Sequence, residues 1–296
     1  MPRLAVAFPG QGIDPVDLAR ILTEHAGDPL VEALADRLGT SAWRDLDLGD
    51  TRQAQPAILV AGLVAARAGV DPDQVVAVAG HSFGEITALA FAGAIEADAA
   101  VDLVRHRAEL CHAAHERRPG AMLVVMRVAD ADLEWIRRQA VAATGASLEL
   151  AVVNGPGQVV LSGDRVAVDH AAAAVTAQDG VARVLAIGGA YHSPLLAEQV
   201  APYGEAVRAA LRAEPRVPLV SCTTQERLTG RDDLVVALSR ALVLPVRWVA
   251  TMEAVATQGV DRVVDAGPGR TLVNLARHTP SLPTDGLSPE RSRRGG

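Results

Sequence analysis

Lysine is absent: all 28 strongly basic side chains are arginine. A Schiff-base lysine and the lysine of a phosphate-binding P-loop are thereby excluded. Cysteine is nearly absent. Cys111 and Cys222 are too few and too far apart for a disulfide framework or a CxxC metal knuckle. Aromatic residues make up 3% of 296, so the core has to be assembled from Ala, Val and Leu. A basic surplus is missing as well; the formal charge is -7, which argues against a nucleic-acid partner. No stretch approaches the ~18 apolar residues of a membrane span. The apolar start at Leu4 to Phe8 is cut by Pro9-Gly10, short of a secretion signal. The expectation is a soluble cytoplasmic protein with no membrane partner.

What is present is globular material: 49% hydrophobic and 21% charged residues. Leu4 to Phe8 and Val75 to Ala79 read as buried strands. Helical material lies between them, broken by Pro15, by Gly27 to Pro29 and by Gly39. A helix over Gln55 to Val70 carries small and apolar residues on nearly every face. A longer amphipathic helix starts near Ala99 and ends at Pro119-Gly120. From there the rhythm changes to strand, Asp-capped helix, two strands across Asn154-Gly155-Pro156-Gly157, helix and strand. That β-α-β-β-α-β order predicts a ferredoxin-like unit inserted at 121–187, with the main domain at 1–120 and 188–280. Beyond the insert, strands are predicted over Val217 to Cys222 and Val260 to Gly267, with a helix over 246–259 between them. The Pro, Ser and Gly-rich tail, 281–296, has little to bury and is predicted to be disordered.

Gly80-His81-Ser82-Phe83-Gly84 sits where the strand gives way to a helix. This fits a G-x-S-x-G nucleophile elbow, in which a sharp turn exposes a serine hydroxyl at a helix N-terminus. The alternative is an ordinary N-cap serine. A nucleophilic serine needs a base, and histidine is the usual one. Of eight histidines, His81 neighbours the serine but points elsewhere in an elbow. His106, His112 and His115 share a helix; a metal pair at 112 and 115 lacks a further ligand, and no metal is expected. His192, on a Gly-rich loop at a strand-to-helix junction, is the favoured base, against a capping or core histidine.

Arg107 shares a helix face with Leu103, Val104, Leu110 and Cys111. A charge on an apolar face needs a partner. That partner is either an internal carboxylate or one that arrives with a substrate.

Eight segments together resemble malonyl-CoA:acyl carrier protein transacylases and the acyltransferase domains of polyketide synthases. They are FPGQG (8–12), QAQPAIL (53–59), GHSFGE (80–85), the helix with Arg107, NGPGQVVLSG (154–163), GAYHSPLL (189–196), LPVRW (244–248) and DAGPGRTLVNL (265–275). The resemblance covers nearly the whole chain. It implies an α/β-hydrolase-like main domain around the ferredoxin-like insert. It also implies ping-pong transfer of a malonyl group from CoA to the phosphopantetheine thiol of an acyl carrier protein, in fatty acid or polyketide synthesis. By the same resemblance Ser82 is the nucleophile and His192 the base, and the main-chain N–H groups of Gln11 and Phe83 form the oxyanion hole. Arg107 would bind the malonyl carboxylate, with Tyr191 and Asn154 beside the substrate. The main-chain carbonyl of Arg247 would orient the histidine in place of a triad acid, for which Asp164 and Asp265 are the nearest candidates by context. No cofactor is required, since CoA and phosphopantetheine belong to substrate and partner, and a monomer is expected.

The chain departs from the family pattern in running GQGIDPVDLA after Phe8-Pro9, in a short N-terminal helical region, and in Tyr191 before the histidine where a phenylalanine is common. Bulky Phe83 and Tyr191 would crowd an α-substituent, favouring malonyl over methylmalonyl. The competing readings are transfer of another acyl group, a serine esterase or thioesterase, and a non-catalytic docking subunit. A buried arginine and the lack of a triad acid weigh against the esterase. The pairing of Ser82 with His192 weighs against the docking subunit.

Overall fold

The computed structural model of the protein describes residues 1–287. Its elements in chain order are β1 (Leu4–Phe8), α1 (Pro15–Glu24), α2 (Pro29–Leu38), α3 (Thr51–Gly69), β2 (Val75–Gly80), α4 (Gly84–Phe91), α5 (Ala97–Arg117) and β3 (Gly120–Met126). There follow α6 (Asp130–Thr144), β4 (Leu148–Gly155), β5 (Gln158–Asp164), α7 (Arg165–Thr176), β6 (Val181–Val184), α8 (Val200–Ala210), β7 (Leu219–Val220) and β8 (Arg227–Leu228). The described chain closes with α9 (Arg231–Arg240), β9 (Val246–Arg247), α10 (Trp248–Ala256), β10 (Arg262–Asp265), α11 (Thr271–Leu275) and β11 (Thr284–Gly286).

These make an α/β fold with two mixed sheets. The first has the order β11-β10-β1-β2-β7-β8, parallel except for the antiparallel β7–β8 pair. All five residues of β1 are buried, as is nearly all of β2. A parallel sheet covered on both faces requires that kind of unbroken apolar run. The second sheet has the order β6-β3-β5-β4-β9, antiparallel except for β4–β9. Its strands alternate, as the two-residue period of a strand demands. Ala121, Leu123 and Val125 pack in one cluster with Leu133 and Ile136 of α6 and Val168 of α7. Met122, Val124 and Met126 line a cavity on the other face.

Pro15 and Pro29 begin helices rather than break them. Asp14 and Asp28 cap α1 and α2, and each proline takes a first helical position, where its missing N–H costs nothing. The segment expected as a strand over 217–222 pairs only at Leu219–Val220. The helix expected over 246–259 begins at Trp248, because Val246–Arg247 is drawn into the second sheet beside β4.

The expected disorder from 281 onward is corrected in its first part. Leu282 is buried, and β11 adds to the sheet edge beside β10. Composition could not signal this, because an open sheet edge is satisfied by main-chain hydrogen bonds and asks little of the side chains. The rest of that tail, 288–296, lies outside the described residues.

Candidate active site

Strand β2 delivers the elbow, and sterics dictate its two glycines. A Cβ on Gly80 would fall 2.0 Å from the Glu85 nitrogen, and one on Gly84 would fall 2.3 Å from the Phe8 carbonyl oxygen. Strand, turn, helix α4 and β1 therefore meet with no room for a side chain at either place. Between them Ser82 takes φ 57, and His192 also takes φ 57. Neither is glycine. Each left-handed residue costs on the order of 1–3 kcal/mol, strain that clusters where geometry serves chemistry.

The two strained residues meet. Ser82 Oγ lies 2.7 Å from His192 Nε2, and His192 Nδ1 lies 3.0 Å from the carbonyl oxygen of Leu244. A carbonyl can only accept, so Nδ1 carries the ring proton and Nε2 presents its lone pair to the serine hydroxyl. His192 is 3% exposed. Burial first, then the charge of Arg107, pull its pKa down to about 3, against the supporting Leu244 carbonyl. The imidazole is thus a neutral base throughout the ordinary pH range.

The orienting carbonyl is that of Leu244, not Arg247. The Arg247 carbonyl accepts a hydrogen bond from Thr251 Oγ at 2.8 Å, and its N–H donates to Cys222 O at 2.8 Å. Leu244 sits three residues earlier, where the chain leaves α9. Neither candidate acid reaches the histidine. Asp164 accepts two hydrogen bonds from Arg118 (2.6 and 2.7 Å) and one from Ser147 N–H (2.7 Å). Asp265 is buried at the end of β10, and its Oδ2 accepts from the Leu272 and Val273 N–H groups of α11. Burial raises its pKa to about 7.

Arg107 is 3% exposed, and among the described residues no carboxylate lies within ion-pair distance of it. Of the two partners the sequence left open, the internal one is therefore not found among the described residues. Its Nη1 donates to Gln55 Oε1 at 3.1 Å, and the guanidinium carbon lies 5.2 Å from the centre of the Tyr191 ring. Gln55 donates in turn to Gln11 Oε1 at 3.4 Å, and Gln11 to Leu48 O at 3.2 Å. These amides fix the arginine without neutralising it.

Gln55 is the site residue that sequence reasoning passed over. The available signal was a second polar side chain among the small apolar residues of α3, 1% exposed in the fold. His81 points away from the serine, as expected of the elbow. It still lines the cavity, with Nε2 3.0 Å from Asn154 Oδ1 and its ring tilted against Trp248.

Ser82, His192, Arg107, Gln55, His81 and Asn154 open on one cavity of about 690 Å³. Gln11, Ser82, Phe83, Arg107, Tyr191 and His192 line one side and the apolar face of the second sheet the other. Among the described residues no group of three His, Cys, Asp or Glu could hold a metal ion. Instead, His115 accepts a hydrogen bond from Gly120 N–H, and His112 faces Glu116 at 3.7 Å. The arrangement offers a serine hydroxyl with a neutral base and a fixed cation in the same apolar chamber.

Comparison with known proteins places this geometry. The acyl transferase domain family matches residues 19–285. The malonyl CoA-acyl carrier protein transacylase of Escherichia coli (strain K12) is 32% identical over 294 residues, spanning 94% of this chain and 93% of that one. The crystal structure of acyl-carrier-protein S-malonyltransferase from Burkholderia pseudomallei 1710b superposes with a TM-score of 0.84 at 28% identity, covering 96% of both chains. A malonyl-transacylase solved in complex with its type II PKS acyl-carrier protein superposes with a TM-score of 0.81 at 28% identity, covering 96% of this chain and 95% of that one.

Proposed function

The chain belongs to the acyl transferase domain family, and from that premise we propose that it moves a malonyl group from CoA, through an ester on Ser82, to the phosphopantetheine thiol of an acyl carrier protein, in fatty acid or polyketide synthesis. One observation carries the choice of acyl group: the buried guanidinium of Arg107 faces the serine's cavity with no carboxylate of its own. A malonyl carboxylate supplies the missing charge, gripped by a planar fork of N–H donors.

The chemistry follows from the tautomer. As Ser82 Oγ attacks the thioester carbonyl, its proton passes to His192 Nε2 and a C–O bond forms. The C–S bond then breaks, and the CoA sulfur takes the proton back from Nε2. In the second half the carrier's thiol gives its proton to Nε2 and its sulfur attacks the ester, and the C–O bond breaks as Ser82 is reprotonated. The imidazolium formed in passing is held by the Leu244 carbonyl. The main-chain N–H groups of Gln11 and Phe83 donate to no protein group among the described residues and border the cavity. That supports their role as oxyanion donors. CoA and phosphopantetheine arrive with substrate and partner, so the chain itself needs no cofactor.

Phe83 and Tyr191, both buried at the cavity wall, limit the space beside the acyl α-carbon and favour malonyl over methylmalonyl. One methyl is worth about 1–3 kcal/mol of discrimination, so the preference is finite. Asn154, tied to His81, borders the same space and is assigned to substrate binding. The strand order β6-β3-β5-β4 supports a ferredoxin-like insert at 121–187, and the parallel sheet with its serine elbow supports an α/β-hydrolase-like core around it. Ser82, His192 and Arg107 come from one chain, which supports action as a monomer.

The test is a panel of acyl-CoAs with intact-mass readout. A malonyl adduct should form on the protein, vanish in Ser82→Ala, and move to an added acyl carrier protein. Rapid hydrolysis with no transfer would favour an esterase, and no adduct with any acyl-CoA would sink the reading.

A further inference from the structure

Among the buried ionisable side chains to which the proposed mechanism gives no task, Glu85 stands nearest the nucleophile in sequence. Glu85 lies in the first turn of α4, three residues after the nucleophile, and is fully buried. A carboxyl group in an apolar interior is costly unless its bonds repay it. Its Oε1 accepts a hydrogen bond from Cys222 N–H at 2.7 Å. Its Oε2 has no hydrogen-bond partner among the described residues, and the Ser221 and Cys222 side chains lie near the carboxyl group.

The bond to Cys222 belongs to a circuit. Cys222 O accepts from Arg247 N–H at 2.8 Å. Arg247 fixes the short segment that begins at Leu244, and Leu244 O accepts the hydrogen bond that His192 Nδ1–H donates. His192 Nε2 faces Ser82 Oγ, and Ser82 O accepts from Glu85 N–H at 3.2 Å. The loop thus runs from the elbow helix, through two main-chain segments, to the carbonyl that sets the base's tautomer, and back to the nucleophile. Within it Glu85 and His192 supply the bridges made by side chains distant in sequence. The 221–224 turn sits between short strands β7 and β8, whose ladder does not reach Cys222.

We propose that Glu85 is a positioning residue: through Cys222 and Arg247 it holds the Leu244 carbonyl where it fixes the orientation and tautomer of His192. Burial raises the Glu85 pKa to about 7, so the group is a neutral acid below that pH, with a carbonyl-like oxygen toward Cys222. A glutamine can reproduce that oxygen, and a methionine of similar shape cannot.

The inference rests on the reading of Ser82 as nucleophile and His192 as base, and the experiment separates the two. Ser82 reactivity is read as the rate of labelling by a fluorophosphonate, and the tautomer as the downfield Nδ1 proton resonance of His192 in the full chain. Failure of the wild-type protein to label would sink the reading of the serine and base, whatever Glu85 does. Given wild-type labelling, E85M should label ~10-fold or more slowly, with the Nδ1 resonance shifted or lost. In malonyl transfer the same variant should lower kcat and leave KM near its wild-type value. E85Q should label within about twofold of wild type with the resonance in place. The proposal is overturned if E85M labels at the wild-type rate, if it slows with the resonance unmoved, or if E85Q is as impaired as E85M. Should E85M not fold, E85D, whose acceptor is set back by one methylene, is read by the same three outcomes.

Discussion

The two sheets face a single cavity and contribute unequally to it. The first, mostly parallel, ends β1 and β2 in tight turns that supply Gln11, Ser82 and Phe83. The second, mostly antiparallel, presents a regular strand face whose Met122, Val124, Met126 and Val160 form the opposite wall. Regular strands give a smooth surface with one side-chain direction per residue. They cannot aim a hydroxyl, a main-chain N–H and a base at one point. That takes backbone in uncommon conformations, supported by rigid elements, and the left-handed Ser82 and His192 are the strained residues at this site.

If this division of labour is right, the largest damage should come from the elbow. Gly84→Ala drives a Cβ into the Phe8 carbonyl, a main-chain group that cannot swing aside as a side chain can. A loss of ~3 kcal/mol or more in urea unfolding is expected, or no folded protein at all. Near-native stability would mean that α4 and β1 part more easily than their contact suggests.

Next in size is Arg107→Ala. Malonyl transfer should fall on the order of 100-fold in kcat/KM, with transfer of acyl groups lacking a carboxylate kept or increased. Equal loss for both substrate types would make the arginine a structural part of α5.

The pH response comes third. A free histidine titrates near 6.5, and His192 is held down to about 3. Ser82 acylation should therefore stay level as pH falls through 6.5 and decline only well below it; a midpoint near 6.5 would refute the buried, neutral base. The same depressed pKa affects stability. Between about 3 and 6.5 the unfolded chain binds the proton and the native one does not, so this contribution is lost as pH falls. Glu85 has the opposite sign. Its pKa is raised from 4.5 to about 7, so its contribution is lost as pH rises through that window.

The smallest effect should come from the wall. Met126→Ala enlarges the cavity on the strand side and should change kcat/KM by less than ~3-fold, since a flexible thioether there fills space and aims nothing. A loss as large as that of Arg107→Ala would show that the second sheet reads the substrate directly.

Much of the site was legible because its local demands fall on residue types. Gly80 and Gly84 are glycines for lack of room, Ser82 stands between them, and Arg107 falls on an apolar stripe. What escaped was set by contacts across the fold. Gln55 has no local mark beyond being polar in an apolar helix; its value lies in meeting Arg107 from another element. The orienting carbonyl was misplaced by three residues because every residue has a carbonyl. Only the folded geometry, with His192 Nδ1 against Leu244 O while the Arg247 carbonyl accepts from Thr251, reveals which one meets the histidine. The early part of the tail pairs through its main chain, which composition does not describe.

By itself, then, the sequence determined the alternating order of elements, the elbow and its serine, the candidate base and an arginine that needed a partner. These follow from periodicity, steric size and charge, properties that a residue carries wherever it sits. The tertiary structure alone decided that no carboxylate among the described residues pairs with the arginine, which carbonyl meets the histidine, and that Glu85 joins the elbow helix to Cys222. Those are outcomes of distance among groups far apart in the chain, and distance is settled only when the two sheets close on the cavity.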